Sequence, residues 1–135
     1  MHVIADTGYL VALVARNDQH HEWARNLAEQ LTPPLLTCEA VLAETAFHLK
    51  SSMQVLEMLR RGAVQLAFDC TIQLEHLHDL ATRYGDRRPD LADLCLIRMS
   101  ELNPRLPIVT VDAVDFRAYR RNKREVIPII CPPNC

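Results

Sequence analysis

His2-Val3-Ile4-Ala5-Asp6-Thr7-Gly8 opens the chain, and its apolar run from His2 to Ala5 stops at an acid, as a buried strand would. Thr7 to Arg16 then reads as a helix, with Asp6 placed to cap the free amides of its first turn. The same alternation continues outward from this start. A helix from His20 to Leu31 carries the only tryptophan, Trp23, and stops before Pro33-Pro34. Leu35 to Thr37 reads as strand two, Glu39 to Lys50 as a helix, and Met53 to Arg61 as another that Gly62 ends. Val64 to Phe68 is the third strand, Ile72 to Tyr84 a helix, and Asp90 to Leu102 a helix reached through a polar loop. Ile108 to Val111 and Val126 to Ile130 complete five strands. Strands alternating with helices predict one α/β domain over residues 1–135: a five-stranded, mainly parallel sheet, strand one central, covered by helices on both faces.

Open sheets of this kind bind ligands beyond the carboxyl ends of their strands. Asp6 and Asp112 follow strands one and four and so belong on that edge. Glu44 projects from a largely apolar helix face formed by Ala40, Val41, Phe47 and His48. Asp90 and Asp93, three apart at a helix start, share a face. Each acid has an ordinary alternative: Asp6 as a helix cap, Asp90 and Asp93 as complements to a helix dipole, Asp112 and Asp115 as turn residues. Together they place uncompensated charge at one edge, which costs folding energy unless a cation offsets it. An all-oxygen cluster points to a hard divalent ion such as magnesium.

Half of the chain is apolar (49%), enough for a real core, and the formal charge of −2 announces no nucleic-acid binder. Affinity for phosphate therefore has to come from a bound ion or from local basic residues. The run Arg117, Arg120, Arg121, Lys123 and Arg124, with Arg87 and Arg88 before Asp90, is either a solvated surface or a phosphate contact. Five cysteines without C-x-x-C spacing indicate neither a zinc site nor a disulfide framework. Cys38 and Cys95 read as buried thiols, and Cys131 with Cys135 as a pair only under oxidation. No charged leader precedes an apolar stretch, and no run approaches the ~18 apolar residues of a membrane span, so a cytoplasmic protein is expected.

Four motifs in order carry a family resemblance over essentially the whole chain. They are Ala5-Asp6-Thr7-Gly8 with Asp18-Gln19-His20-His21-Glu22-Trp23, then Leu36 to Glu44, Asp90-Leu91-Ala92-Asp93, and Val109-Thr110-Val111-Asp112 with Asp115-Phe116. The sequence resembles the PIN-domain family, in particular the VapC-like toxins of bacterial toxin–antitoxin pairs. The resemblance implies a three-layer α/β/α endoribonuclease that uses Mg2+ or Mn2+, forms a homodimer, and is inhibited by a cognate antitoxin. It implies that Asp6, Asp93 and Asp112 hold metal and that Glu44 binds it or orients its water. Asp90, the alternative to Asp93, and Asp115, the alternative to Asp112, are then accessory acids, and Thr7 and Thr110 either hydrogen-bond the ligand carboxylates or are ordinary helix-start and strand-end hydroxyls.

Two other classes gather acids at a sheet edge. A receiver-like phosphoacceptor domain wants an acidic pair after strand one, where only Asp6 stands, and a haloacid-dehalogenase-like phosphatase wants an acid at position 8, which is Gly8. A PIN-fold interaction module without catalysis is the remaining alternative, and the four intact acids argue against it.

Overall fold

The computed structural model describes residues 1–135. Five strands form one parallel sheet: β1 (Ile4–Ala5), β2 (Leu35–Thr37), β3 (Val64–Leu66), β4 (Ile108–Val109) and an edge strand at Ile129–Ile130. Between β4 and that edge strand comes a small antiparallel hairpin, β5 (Arg120–Arg121) and β6 (Glu125–Val126), so the edge strand is β7. The sheet order is β3-β2-β1-β4-β7, with β1 in the centre. Adjacent residues of a strand point to opposite faces. Ile4, Ala5, Ile108 and Val109 are nevertheless all fully buried, so helices cover the sheet on both sides.

Seven helices supply that cover: α1 (Thr7–Val14), α2 (His21–Ala28), α3 (Glu39–Leu49), α4 (Ser52–Arg60), α5 (Leu74–Arg83), α6 (Leu91–Leu102) and α7 (Ala113–Ala118). α6 is the most deeply buried, with Cys95, Leu96, Ile97 and Met99 all inaccessible to solvent. An amphipathic surface helix keeps a polar face; α6 keeps almost none, because it packs within the core. No helix is long and apolar enough to cross a membrane.

The fold departs from the sequence reading in its last third. The expected strand over Val126–Ile130 is two strands, because Val126 pairs with Arg120 in the hairpin and only Ile129–Ile130 joins β4. Pro128 falls between them; it lacks an amide, and it contributes only its carbonyl, to Ile108 N. α7 was not expected at all. It forms because Ala113 and Phe116, three apart, bury one face of a short turn of helix and leave Val114, Arg117 and Ala118 outside. Elsewhere the differences are at element ends: α1 stops at Val14, not Arg16, and β3 at Leu66, not Phe68.

One glycine is demanded by packing. A Cβ on Gly8 would stand 2.2 Å from Val111 Cγ2, so the start of α1 can lie against the segment after β4 only without a side chain there. Valine is stiff about χ1 and gives way poorly. Gly8→Ala should therefore destabilise the domain by about 1–3 kcal/mol, the usual range for overpacking. A urea titration checks this, and an unchanged midpoint would mean that Val111 repacks freely.

Candidate active site

Parallel register decides which side chains meet beyond the strand ends. Ala5 is level with Val109, and Asp6 N donates to Val109 O at 3.1 Å, so Asp6 and Thr110 emerge side by side. Thr110 Oγ1 donates to Asp6 Oδ2 at 2.8 Å and accepts the amide of Asp112 at 3.0 Å. The other oxygen of Asp6 accepts Thr7 N at 2.7 Å, so Asp6 does cap α1 while facing the same edge. From α1, Thr7 Oγ1 donates to Glu44 Oε2 on α3 at 3.1 Å.

Asp90 is the N-cap of α6 and accepts the amide of Asp93 at 2.8 Å. Asp93 in turn accepts the hydroxyl of Tyr119 at 3.2 Å. The two acids left open as alternatives thus have separate settings. Asp90 is exposed and its Oδ1 is occupied by the helix start, whereas Asp93 is partly buried and held from α7's far end. Asp112 is exposed, and Asp115, one turn on, pairs with Arg87 at 3.4 Å.

A single cavity of about 420 Å³ joins these groups. Seven acids line it: Asp6, Asp18, Glu44, Asp90, Asp93, Asp112 and Asp115. His20 and His48 are also in the lining, but no lysine or arginine is. Asp18, read from the sequence only as part of the Asp18-Gln19-His20-His21-Glu22-Trp23 motif and not as a site acid, joins the lining from the turn before α2. The carboxylates ring the cavity without three of them converging on one point.

Crowding acids in a recess shifts their protonation. Burial pushes Asp6 up to about 6 against its hydrogen bonds from Thr110 and Thr7, with the charges of Glu44 and Asp112 adding to the rise. Asp93 is pushed up to about 7, first by burial and then by the charge of Asp90. Glu44 is raised by burial and by Asp90, and Asp112 by burial and by Asp115. All four move up because burial first, and neighbouring carboxylates second, disfavour the ionised form.

The sequence leaves Arg120 and Arg121 open as a solvated surface or as phosphate contacts, and neither lines the cavity. Instead Arg121 Nη1 donates to Ser100 O and Oγ and to Pro104 O, and its Nε to Glu125 at 3.0 Å. These carbonyls sit at the C-terminal end of α6, on the order of 10 Å along the axis from Asp93. A guanidinium there satisfies orphan carbonyls and complements the helix dipole. Arg120 donates from its side chain to the carbonyls of Arg117 and Tyr119. The hairpin turns the run back on itself, which is why its charges do not form a stripe. Arg87 is the exception: it is exposed, pairs with Asp115, and lies 5.8 Å from the ring centroid of Tyr119. Arg88 is exposed beside it.

A comparison with curated proteins found no match. Among solved structures, the chain is similar to the crystal structure of Mycobacterium tuberculosis VapC20, described as a sarcin-ricin loop cleaving toxin. The TM-score is 0.75 at 18% sequence identity, covering 93% of this chain and 99% of that one. That likeness reaches the fold alone. The PIN domain family model matches residues 3–126, nearly the whole chain with all four acidic motifs, and the chain accordingly belongs to the PIN domain family.

Proposed function

We propose that this protein is a divalent-metal-dependent endoribonuclease, using Mg2+ or Mn2+, and the toxin of a VapBC-type toxin–antitoxin pair. The observation that carries the reading is the cavity itself: seven acids and no lysine or arginine in its lining. Four acids with raised proton affinity cost folding energy, and a bound cation is what offsets it. The donor set fits a hard divalent ion, because it is all oxygen and magnesium keeps several of its own waters. No three carboxylates converge on one point, so the ion's own waters would have to fill most of its coordination positions. When bound, the ion supplies Lewis-acid stabilisation of the phosphoryl oxygens and lowers the pKa of its water.

Asp6, Asp93 and Asp112 hold the ion in this reading, with Asp90 and Asp115 as accessory acids on the rim. Thr110 and Thr7 keep the carboxylates of Asp6 and Glu44 turned toward the cavity, the outer-shell role that fixes ligand orientation. Glu44 has one oxygen tied to Thr7 and the carboxyl of Asp90 close by, and in this reading its Oε1 orients the attacking water and accepts its proton. No serine, cysteine or histidine nucleophile is needed.

RNA is the substrate class that the family and the VapC20 description support. Since Arg120 and Arg121 are engaged elsewhere, phosphate contacts fall to Arg87 and Arg88 in the loop before α6. The exposed apolar side chains of α3 and α4, Phe47, Met53 and Leu56, offer a surface for a cognate antitoxin protein. A homodimer is the expected assembly.

Single-stranded and structured RNAs incubated with the protein should be cut in millimolar Mg2+ or Mn2+ and left intact in EDTA. Cleavage indifferent to EDTA would remove the metal from the reading. No cleavage of any RNA with either ion would leave a binding module.

A further inference from the structure

Three of the acids share one construction. Asp6 accepts a hydroxyl from Thr110, Glu44 one from Thr7, and Asp93 one from Tyr119, each from a different element of the chain than the acid itself. The threonines belong to the acidic motifs. Tyr119 does not: it stands 26 residues from Asp93, at the junction of α7 and β5.

Its surroundings leave it little freedom. Tyr119 is 1% exposed, and its ring meets Tyr84 at 5.1 Å and Phe116 at 5.8 Å, both edge to face. Arg87 lies against the ring as well. A ring enclosed on several sides cannot swing its hydroxyl away, so the position of that oxygen is set by core packing. An ionised carboxylate only accepts hydrogen bonds, so the phenol is the donor and Asp93 Oδ2 the acceptor.

We propose that Tyr119 is a positioning residue for Asp93. By occupying Oδ2 it turns Oδ1 toward the cavity, and it does so only when α7 and the β5–β6 hairpin are folded onto α6. The segment of α7 and the hairpin, where the sequence pattern was least informative, thereby completes a site whose acids, Asp115 apart, lie outside it. The proposal rests on the reading of the acids as metal ligands.

A buried tyrosine also packs and needs a partner for its hydroxyl, so a purely structural role has to be separated from positioning. Tyr84 provides the comparison. It belongs to the same aromatic group, but its hydroxyl bonds the main chain of Arg120 and touches no acid. Mn2+ binding should be titrated calorimetrically on the wild type, Tyr119→Phe, Tyr84→Phe and Asp93→Asn, with circular dichroism to compare their folds. Phenylalanine retains every ring contact and so retains the fold. Loss of an outer-shell partner typically weakens metal binding by roughly 10–100-fold, and Tyr119→Phe should fall in that range. Tyr84→Phe should bind within about twofold of the wild type, whereas Asp93→Asn should lose more than either. Wild-type affinity in Tyr119→Phe overturns the positioning role, and so do equal losses in the two tyrosine variants, which would assign the effect to packing. Failure of a different kind is visible separately: a wild type that binds no Mn2+, or an Asp93→Asn that binds as well as wild type, rejects the metal reading beneath the proposal.

Discussion

Asp6→Asn should abolish metal-dependent RNA cleavage and at the same time give a more stable metal-free protein. Losing an outer-shell partner already costs up to about 100-fold, and removing the charge of the most buried ligand should cost more. Stability moves the other way. Raising Asp6 from 3.8 to about 6 means that the ionised form weakens the folded state by roughly 3 kcal/mol at neutral pH. Asparagine removes that charge. Both Asp6 oxygens accept hydrogen bonds, from Thr7 N and Thr110 Oγ1, so the new amide nitrogen faces either the Thr7 amide or the Thr110 hydroxyl, which must then accept and leaves its own proton without Asp6 as acceptor. One mismatched bond costs about 1–2 kcal/mol, less than the charge it replaces. The variant in EDTA should therefore melt a few degrees above wild type while cutting no RNA. Retained cleavage would remove Asp6 from the site. A lower melting point would show that the hydrogen bonds outweigh the burial of charge.

The second large effect is a reversal of pH dependence by metal. In EDTA, the folded protein keeps protons on Asp6 up to about pH 6 and on Asp93 up to about pH 7, whereas an unfolded aspartate releases its proton near 3.8. Between those limits the folded state binds more protons, so stability falls as pH rises from about 4 through 7. Glu44 and Asp112, raised as well, add in the same direction. The metal-free protein should thus melt higher at pH 5.5 than at pH 8. A divalent ion needs the deprotonated carboxylates and competes with those protons. Millimolar Mg2+ should raise the melting temperature strongly at pH 8 and little at pH 5.5; an ion at 100 times its Kd stabilises by about 2.7 kcal/mol. Differential scanning calorimetry at the two pH values, with and without Mg2+, measures all four states. Melting indifferent to both pH and Mg2+ would mean that the acids are too well solvated to repel one another.

Much of this site was legible because its acids sit in short, local contexts. Asp6 and Asp112 directly follow strands, and Asp90 and Asp93 open a helix, so knowing the sheet is parallel is enough to bring them to one edge. The alternative readings were partly true as well: Asp6 and Asp90 do cap helices, and the same oxygens border the cavity. The basic run could not be placed from sequence for a physical reason. Charge reads as a line along the sequence, but a hairpin rotates successive residues away from one another, and Arg121 satisfies the end of α6 instead of facing the cavity. Tyr119 was missed because nothing local marks it. Its contact with Asp93 depends on how α7 and the hairpin return across α6, a matter of tertiary packing that periodicity does not encode.

β1 and β4 contribute only two residues each to the sheet, yet they lie at its interior, away from either edge. The amide of Asp6 is bonded to Val109 O, and that of Thr110 to Ile130 O. Fraying of termini and edges, the opening events of lowest free energy, does not uncover the first of these bonds. Hydrogen exchange at the Asp6 amide should therefore require the whole domain to open. The first acid is as durable as the core that carries it, and a chain that has kept its centre has kept that corner of the cavity too.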